Sequence, residues 1–177
     1  MSRITGRIVY FAFGANVHPG WLQRRVPRAQ LLGIGTLPGH RLAFRKRGRD
    51  GAARSDACPD AAARLPGALY ALDAGDLALL GAAGAGYRPA EVVIDTARGA
   101  CEAICWRAEP SAIEEGLRPW EWYVALIRAG ASLLGLPGEH VRWLDSVPVA
   151  ADPDPERAAL ARAVIAAGMP GSPAGQE

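Results

Sequence analysis

Residues 7–16 read RIVYFAFGAN, and the fold turns on how this stretch is read. The run is rich in β-branched and aromatic residues and lacks polar alternation. That pattern predicts a strand over residues 7–13, buried on both faces. Gly14 ends it, and the chain passes into a turn of small residues at 13–16. Glycine tolerates positive φ and leaves neighbouring N–H groups uncovered. The turn is therefore either a plain strand end or a concavity suited to a carboxylate or a developing oxyanion.

Downstream, HPGWLQRRVP (18–27) predicts a short helix, with Pro19 in its first turn and Pro27 ending it. AQLLGIGTL and HRLAF read as two strands joined by a turn at Pro38-Gly39. Residues 45–64 are polar, small and turn-rich and read as a loop or weak hairpin, before LPGALYALD returns to strand character. AGDLALL suits a short helix with Asp76 as its cap, and GAAGAGYRP a glycine-rich bend. EVVID and ACEAICW read as two more strands. Residues 119–134 form the clearest helix, with Tyr123, Leu126, Ile127, Gly130 and Leu134 on one face, closed by Gly135 and Pro137. A last helix follows Asp154 and Pro155. The tail 169–177 has nothing to bury and reads as disordered.

Strands first and one main helix late predict an α+β fold, not a βαβ nucleotide-binding sheet. GAAGAG lacks the G-x-G-x-x-G register and follows a helix-like segment, so it is not read as a dinucleotide fingerprint. The chain has 177 residues, half of them apolar, and a net charge of +2. This predicts a sizeable core and no general affinity for nucleic acid. No apolar run approaches the ~20 residues needed to span a bilayer, and the N-terminal stretch reads as structure, not as a leader.

Cys58, Cys101 and Cys105 are odd in number and irregularly spaced, which fits free thiols in a cytoplasmic protein. His18, His40 and His140 show no metal-ligand spacing, so no metal is expected. RKRGR (45–49) is either a solvated basic loop or a site for an acidic ligand. RPWEWY packs the start of the main helix, with ligand stacking as a secondary role.

Together these segments resemble the γ-glutamylcyclotransferase-like family. YFAFGAN (10–16) resembles that family's Tyr-Phe-Ala-Tyr-Gly-Ser-Asn opening. RRVPRAQLLGIGTLPGHRLAF (24–44), LPGALYALD and YVALIRAGASLLGLP (123–137) continue the likeness, which covers residues 8–147. The resemblance implies a small mixed β-barrel flanked by α-helices. The expected organisation is a domain over 1–150, a helix over 151–168 packed on it or extending it, and the tail. It also implies cleavage of a small γ-glutamyl compound by its own α-amine, which releases 5-oxoproline and an amine without a cofactor, in a monomer or homodimer. Phe13, Gly14, Ala15, Asn16 and Val17 would cradle the γ-glutamyl group, and Tyr87 and Tyr123 would line the pocket. Phe13 and Ala15 stand where the family has tyrosine and serine, so two hydroxyls are gone.

The family's general base is a glutamate a few residues before a tyrosine. Aligned on Gly84 and Tyr87, that position is Ala83, and residues 77–90 contain no carboxylate. Glu91, Asp95 and Glu121 are the substitute bases considered, with Glu91 nearest in sequence. Three readings stay open: an enzyme with a relocated base or altered chemistry, a binding member that has lost turnover, or an unrelated structural or interaction role for the fold.

Overall fold

The computed structural model describes residues 3, 4 and 6–168. Its strands are β1 (Arg3–Ile4), β2 (Arg7–Ala12), β3 (Gln30–Arg47), β4 (Ala53–Leu72), β5 (Tyr87–Thr96) and β6 (Gly99–Ala108). Its helices are α1 (Pro19–Gln23), α2 (Ala74–Ala83), α3 (Glu121–Leu133), α4 (Gly138–Asp145) and α5 (Pro155–Ala167). The sheet runs β1-β2-β4-β3-β5-β6, and β2 also pairs with β6. That last pairing, parallel at Tyr10↔Ile104, closes β2, β4, β3, β5 and β6 into a mixed barrel whose other pairings are antiparallel. The architecture is α+β, as expected.

β2 is buried on both sides, with Val9 and Phe11 at 0 % exposure and Tyr10 at 5 %. Its apolar run therefore faces the barrel interior on one side and the helices on the other. Tyr70 is also fully buried, and its hydroxyl donates to the Val17 carbonyl at 3.0 Å.

In the middle of the chain one expectation is corrected and one open alternative is decided. Residues 29–44 are not two strands joined by a turn. All but Ala29 belong to the single strand β3, which passes Pro38 with a register shift before His40. Gly39 absorbs that irregularity at φ +69°. Of the two readings of residues 45–64, loop or weak hairpin, the hairpin holds. β3 continues to Arg47, and β4 pairs with it from Ala53 onward in one long hairpin. The small, mostly exposed residues 60–63 of β4 bulge out of the ladder between the Pro38↔Arg64 and His40↔Pro59 pairs.

The cap of α2 is Asp73, not Asp76. Asp76 sits at the third helical position, and its carboxylate accepts from the Asp73 N–H at 3.3 Å, half of a capping box. α3 buries Tyr123, Leu126, Ile127 and Gly130 on the expected face. It ends at Gly135, with φ +69°, where the Leu136 N–H bonds the Ala131 carbonyl at 2.9 Å. α4, which the sequence pattern did not signal, follows and buries Leu144. α5 begins as expected, with the Asp154 carboxylate accepting from the Glu156 N–H at 2.9 Å. The tail expected over 169–177 lies outside the described residues. No helix among the described residues is long and apolar enough to cross a membrane.

α3 presses directly on the chain after β2. A Cβ on Gly130 would lie 2.7 Å from both the N and the Cα of His18. Only a glycine allows this approach, which clamps the turn after β2 between barrel and helix.

Candidate active site

The strand end at Phe13 leads into a short 3₁₀ turn, Ala15–Val17, with Gly14 at its cap. The first N–H groups of such a turn have no partner within it. This turn opens into a cavity of about 450 Å³. Phe13, Gly14, Ala15, Asn16, Tyr87 and Tyr123 all line it, so six of the seven expected binding residues are brought together. The seventh, Val17, is not on its wall. Val17 is 1 % exposed and sits behind the turn, holding Tyr70 through its carbonyl.

Ser55, on β4, ties the site together. Its hydroxyl lies 2.9 Å from the Tyr123 hydroxyl, and its N–H donates to that same oxygen at 3.2 Å. The Tyr87 hydroxyl donates to the Ser55 carbonyl at 2.6 Å. Two hydroxyls share one hydrogen bond in the Ser55–Tyr123 pair, so one of their protons is left for a ligand. Gly14 completes the packing: a Cβ there would lie 2.2 Å from the Ser55 Oγ and 3.1 Å from the Tyr123 hydroxyl. Burial raises Tyr87 well above the usual tyrosine range, which keeps it protonated as a donor. Tyr10 forms another part of the wall and accepts from the Asn16 amide at 3.2 Å.

An aromatic face adjoins this network. Trp21 and Trp122 lie 5.9 Å apart, and Trp122 meets Tyr123 edge-on at 5.8 Å. The Arg54 guanidinium lies 4.9 Å from the centre of the Tyr123 ring. Behind Trp122 stands the segment after residue 150. The Trp122 indole donates to Asp152 at 2.6 Å, and Arg157 holds both oxygens of that carboxylate at 2.6 and 2.7 Å. Arg157 and Leu160, on α5, reach the cavity themselves. The two tilted tryptophans and α5 are therefore part of the site's wall.

Among the described residues, the cavity wall carries five cationic side chains, Arg25, Lys46, Arg49, Arg54 and Arg157, and one carboxylate, Asp50. Asp50 is fully engaged: it accepts from Arg54 at 2.6 Å, from the Trp120 indole at 2.9 Å and from the Ala52 N–H at 3.4 Å. These bonds hold its pKa below the usual range against the opposing effect of burial. The basic run at 45–49 is thus divided. Arg45 pairs with the buried Asp56 at 2.9 Å and Arg47 with Glu114 at 3.5 Å, while Lys46 and Arg49 face the cavity.

The substitute bases do not join this group. Glu91 is exposed on β5 and is not on the cavity wall. Asp95, also off the wall, binds Arg64 at 2.5 Å. Glu121 is exposed in the first turn of α3, away from the cavity. Ala83 is the last residue of α2, immediately before the cavity-lining Gly84. Among the described residues no cluster of His, Cys, Asp or Glu is arranged to hold a metal ion. Burial pushes the Cys105 thiol up to about 12, which leaves it inert as a nucleophile.

No family model matches the chain, and no curated protein matches it. Solved structures do. The chain resembles a protein described as a gamma-glutamyl cyclotransferase, with a TM-score of 0.78 and 21 % identity, over 91 % of this chain and 99 % of that one. It resembles an uncharacterized Homo sapiens protein, with a TM-score of 0.77 and 19 % identity, over 89 % of this chain and 99 % of the other. It also resembles YkqA from Bacillus subtilis, with a TM-score of 0.68 and 24 % identity, over 81 % of this chain but 56 % of YkqA. The likeness at these identities is one of fold: the chain has the γ-glutamylcyclotransferase-like fold, a small closed mixed barrel with flanking helices.

Proposed function

We propose that the cavity beside the 13–17 turn takes up a small γ-glutamyl compound and promotes its cyclisation. The observation that carries this reading is the meeting of Gly14, Ser55, Tyr87 and Tyr123 at one wall, in a cavity that also holds the turn's backbone. In the reaction, the substrate's α-amine attacks its own γ-carbonyl carbon. A C–N bond closes the five-membered lactam, the C–N bond to the amine portion breaks, and the proton lost by the attacking nitrogen ends on the leaving nitrogen. Neither water nor a cofactor is consumed, because holding the chain folded supplies the proximity. The turn and the spare hydroxyl proton of the Ser55–Tyr123 pair would bind the carbonyl oxygen as it gains charge. The free thiols fit a cytoplasmic setting for this activity.

A second reading is uptake without turnover. It is favoured by the engagement of Asp50, the cavity's one carboxylate among the described residues. Loss of a positioned general base costs about 10²–10⁴-fold in rate. One experiment separates the two readings: purified protein is incubated with a panel of γ-glutamyl amino acids and amines, 5-oxoproline is measured, and binding is followed by calorimetry. Release of 5-oxoproline supports cyclisation. Saturable binding without product leaves the binding reading, and absence of both overturns the γ-glutamyl assignment.

A further inference from the structure

Lys46 is the one lysine among the 20 lysine and arginine residues of the chain. Arginine stays protonated in proteins, whereas a buried lysine can give up its proton and act as a base. Lys46 is 4 % exposed and lies on the cavity wall. It forms no ion pair among the described residues. Its Nζ lies 4.8 Å from the centre of the Tyr87 ring. A Cβ on Gly86 would lie 3.1 Å from its Cε and 3.5 Å from its Nζ. The lysine therefore reaches the bend between Ala83 and Tyr87, the stretch that lacks the carboxylate of a general base.

The surroundings of Lys46 favour its neutral form. Desolvation by burial lowers its pKa most. Arg54 is its partner across the hairpin, with Arg47 and Arg49 on either side, and all three oppose a charge on it. Asp50 favours the charge, but Arg54 and the Trp120 indole already hold that carboxylate. Ile113 bridges Lys46 on the strand's other edge, and Glu114 and Glu115 beyond it are paired with Arg47 and Arg45. Tyr87 faces it from β5 and is held protonated by burial. The other ionisable groups on the wall are poorly suited to take a proton. The arginines stay charged, burial keeps Tyr10 protonated, and the Tyr123 oxygen already accepts from the Ser55 N–H.

We propose that Lys46, as the free amine, is the general base of this cavity and takes over the task of the glutamate missing at Ala83. The inference rests on the γ-glutamyl reading of the site. Lys46 Nζ takes the proton that the attacking α-nitrogen loses as the lactam C–N bond forms. It returns that proton to the leaving nitrogen as the other C–N bond breaks. The lysine ends the cycle neutral, as it began, and no other reactant is consumed.

A single lysine makes the test direct. The full chain labelled with [ε-13C]lysine gives one side-chain NMR signal, and its titration without ligand should have a midpoint below the usual lysine value of about 10.4. A midpoint at or above that value overturns the proposal. With a γ-glutamyl compound that the chain turns over, kcat/KM for 5-oxoproline release should rise with pH through the same midpoint, because the base must be neutral. An acid limb that inflects elsewhere also overturns it. Lys46→Ala should lower kcat by about 10²–10⁴-fold with KM little changed, and added ethylamine should restore part of the rate. A loss that ethylamine does not restore assigns Lys46 a structural role and overturns the proposal. Lys46→Arg, which stays charged, should be as slow as Lys46→Ala. Folded variants with unchanged kcat overturn the assignment of the base and leave the γ-glutamyl reading standing. No 5-oxoproline from any γ-glutamyl compound in the wild type overturns both. The titration and the pH profile need no variant, so they decide the matter even where neither variant folds.

Discussion

Replacing Gly14 by alanine probes the joint between turn and barrel. Gly14 has φ −99° and ψ −151°, an extended conformation open to any residue, so backbone strain contributes nothing. The cost is steric. The new methyl would lie 2.2 Å from the Ser55 Oγ and 3.2 Å from its Cβ. The hydroxyl can rotate away only by giving up its 2.9 Å bond to Tyr123. Losing that buried hydrogen bond costs about 1 kcal/mol, and the overpacking that remains costs about 1–3 kcal/mol. The expected total is about 2–4 kcal/mol in urea unfolding, or a Tm lower by roughly 4–16 °C for a chain of this size. Ser55→Ala alone removes the same bond and should cost about 1 kcal/mol. In the double variant the clashing oxygen is already absent, so it should be no less stable than Gly14→Ala alone. A double-mutant cycle then gives a coupling of about 1 kcal/mol or more. Costs that simply add, to within about 0.5 kcal/mol, would refute this account of the turn and its seat on Ser55.

Three further outcomes are expected. Arg157 and the Trp122 indole hold the Asp152 carboxyl well below the usual carboxylate range. Its stabilising effect is therefore complete above about pH 4 and drains away as the pH falls further; Asp152→Asn should lower Tm at pH 7 and flatten the acid limb of a stability–pH curve. Lys46 is the opposite case, since its lowered pKa means that the charged form is disfavoured in the fold at neutral pH. Lys46→Met should raise the Tm of the ligand-free chain at pH 7, with the gain shrinking as the pH climbs into the usual lysine range near ~10, as followed by thermal melts. Finally, Ala83→Glu returns a carboxylate to the residue before the cavity-lining Gly84. Release of 5-oxoproline should rise by about 10²-fold or more, and an unchanged rate in a folded variant would count against a base acting from this position.

The barrel's first strand was legible because both its faces are buried, so apolar character alone marked it. α3 was legible because Tyr123, Leu126, Ile127 and Gly130 repeat at helical spacing, and α5 because Asp154 and Pro155 announce its start. The long hairpin was not. Backbone pairing, which leaves no trace in side-chain pattern, holds its strands, and residues 60–63 bulge out of the ladder with little to bury. α4 is too short for its period to stand out. At the site, the turn, Tyr87 and Tyr123 came from the resemblance. Ser55 and Asp50 sit in a stretch that read as a loop or weak hairpin, and Trp122, Arg157 and Leu160 are brought in by packing across the chain. Lys46 was visible only as one charge in a run. A register shift between Phe44 and Lys46 sets which way the strand end faces, and counting alternate residues could not anticipate it.

The excess of cationic over acidic side chains on the cavity wall, among the described residues, also bears on how quickly a ligand arrives. The chain carries only +2 overall, so its field at long range is weak, and salt screens what remains beyond about 8 Å under physiological conditions. Attraction is thus confined to the approach to one opening, where Arg25 and Arg49 are exposed beside the deeper Lys46. Such a layout favours small anions that can enter over polyanions that can only lie on the surface. Association with an acidic ligand should accordingly slow as salt is added, while dissociation from the buried end of the cavity changes little.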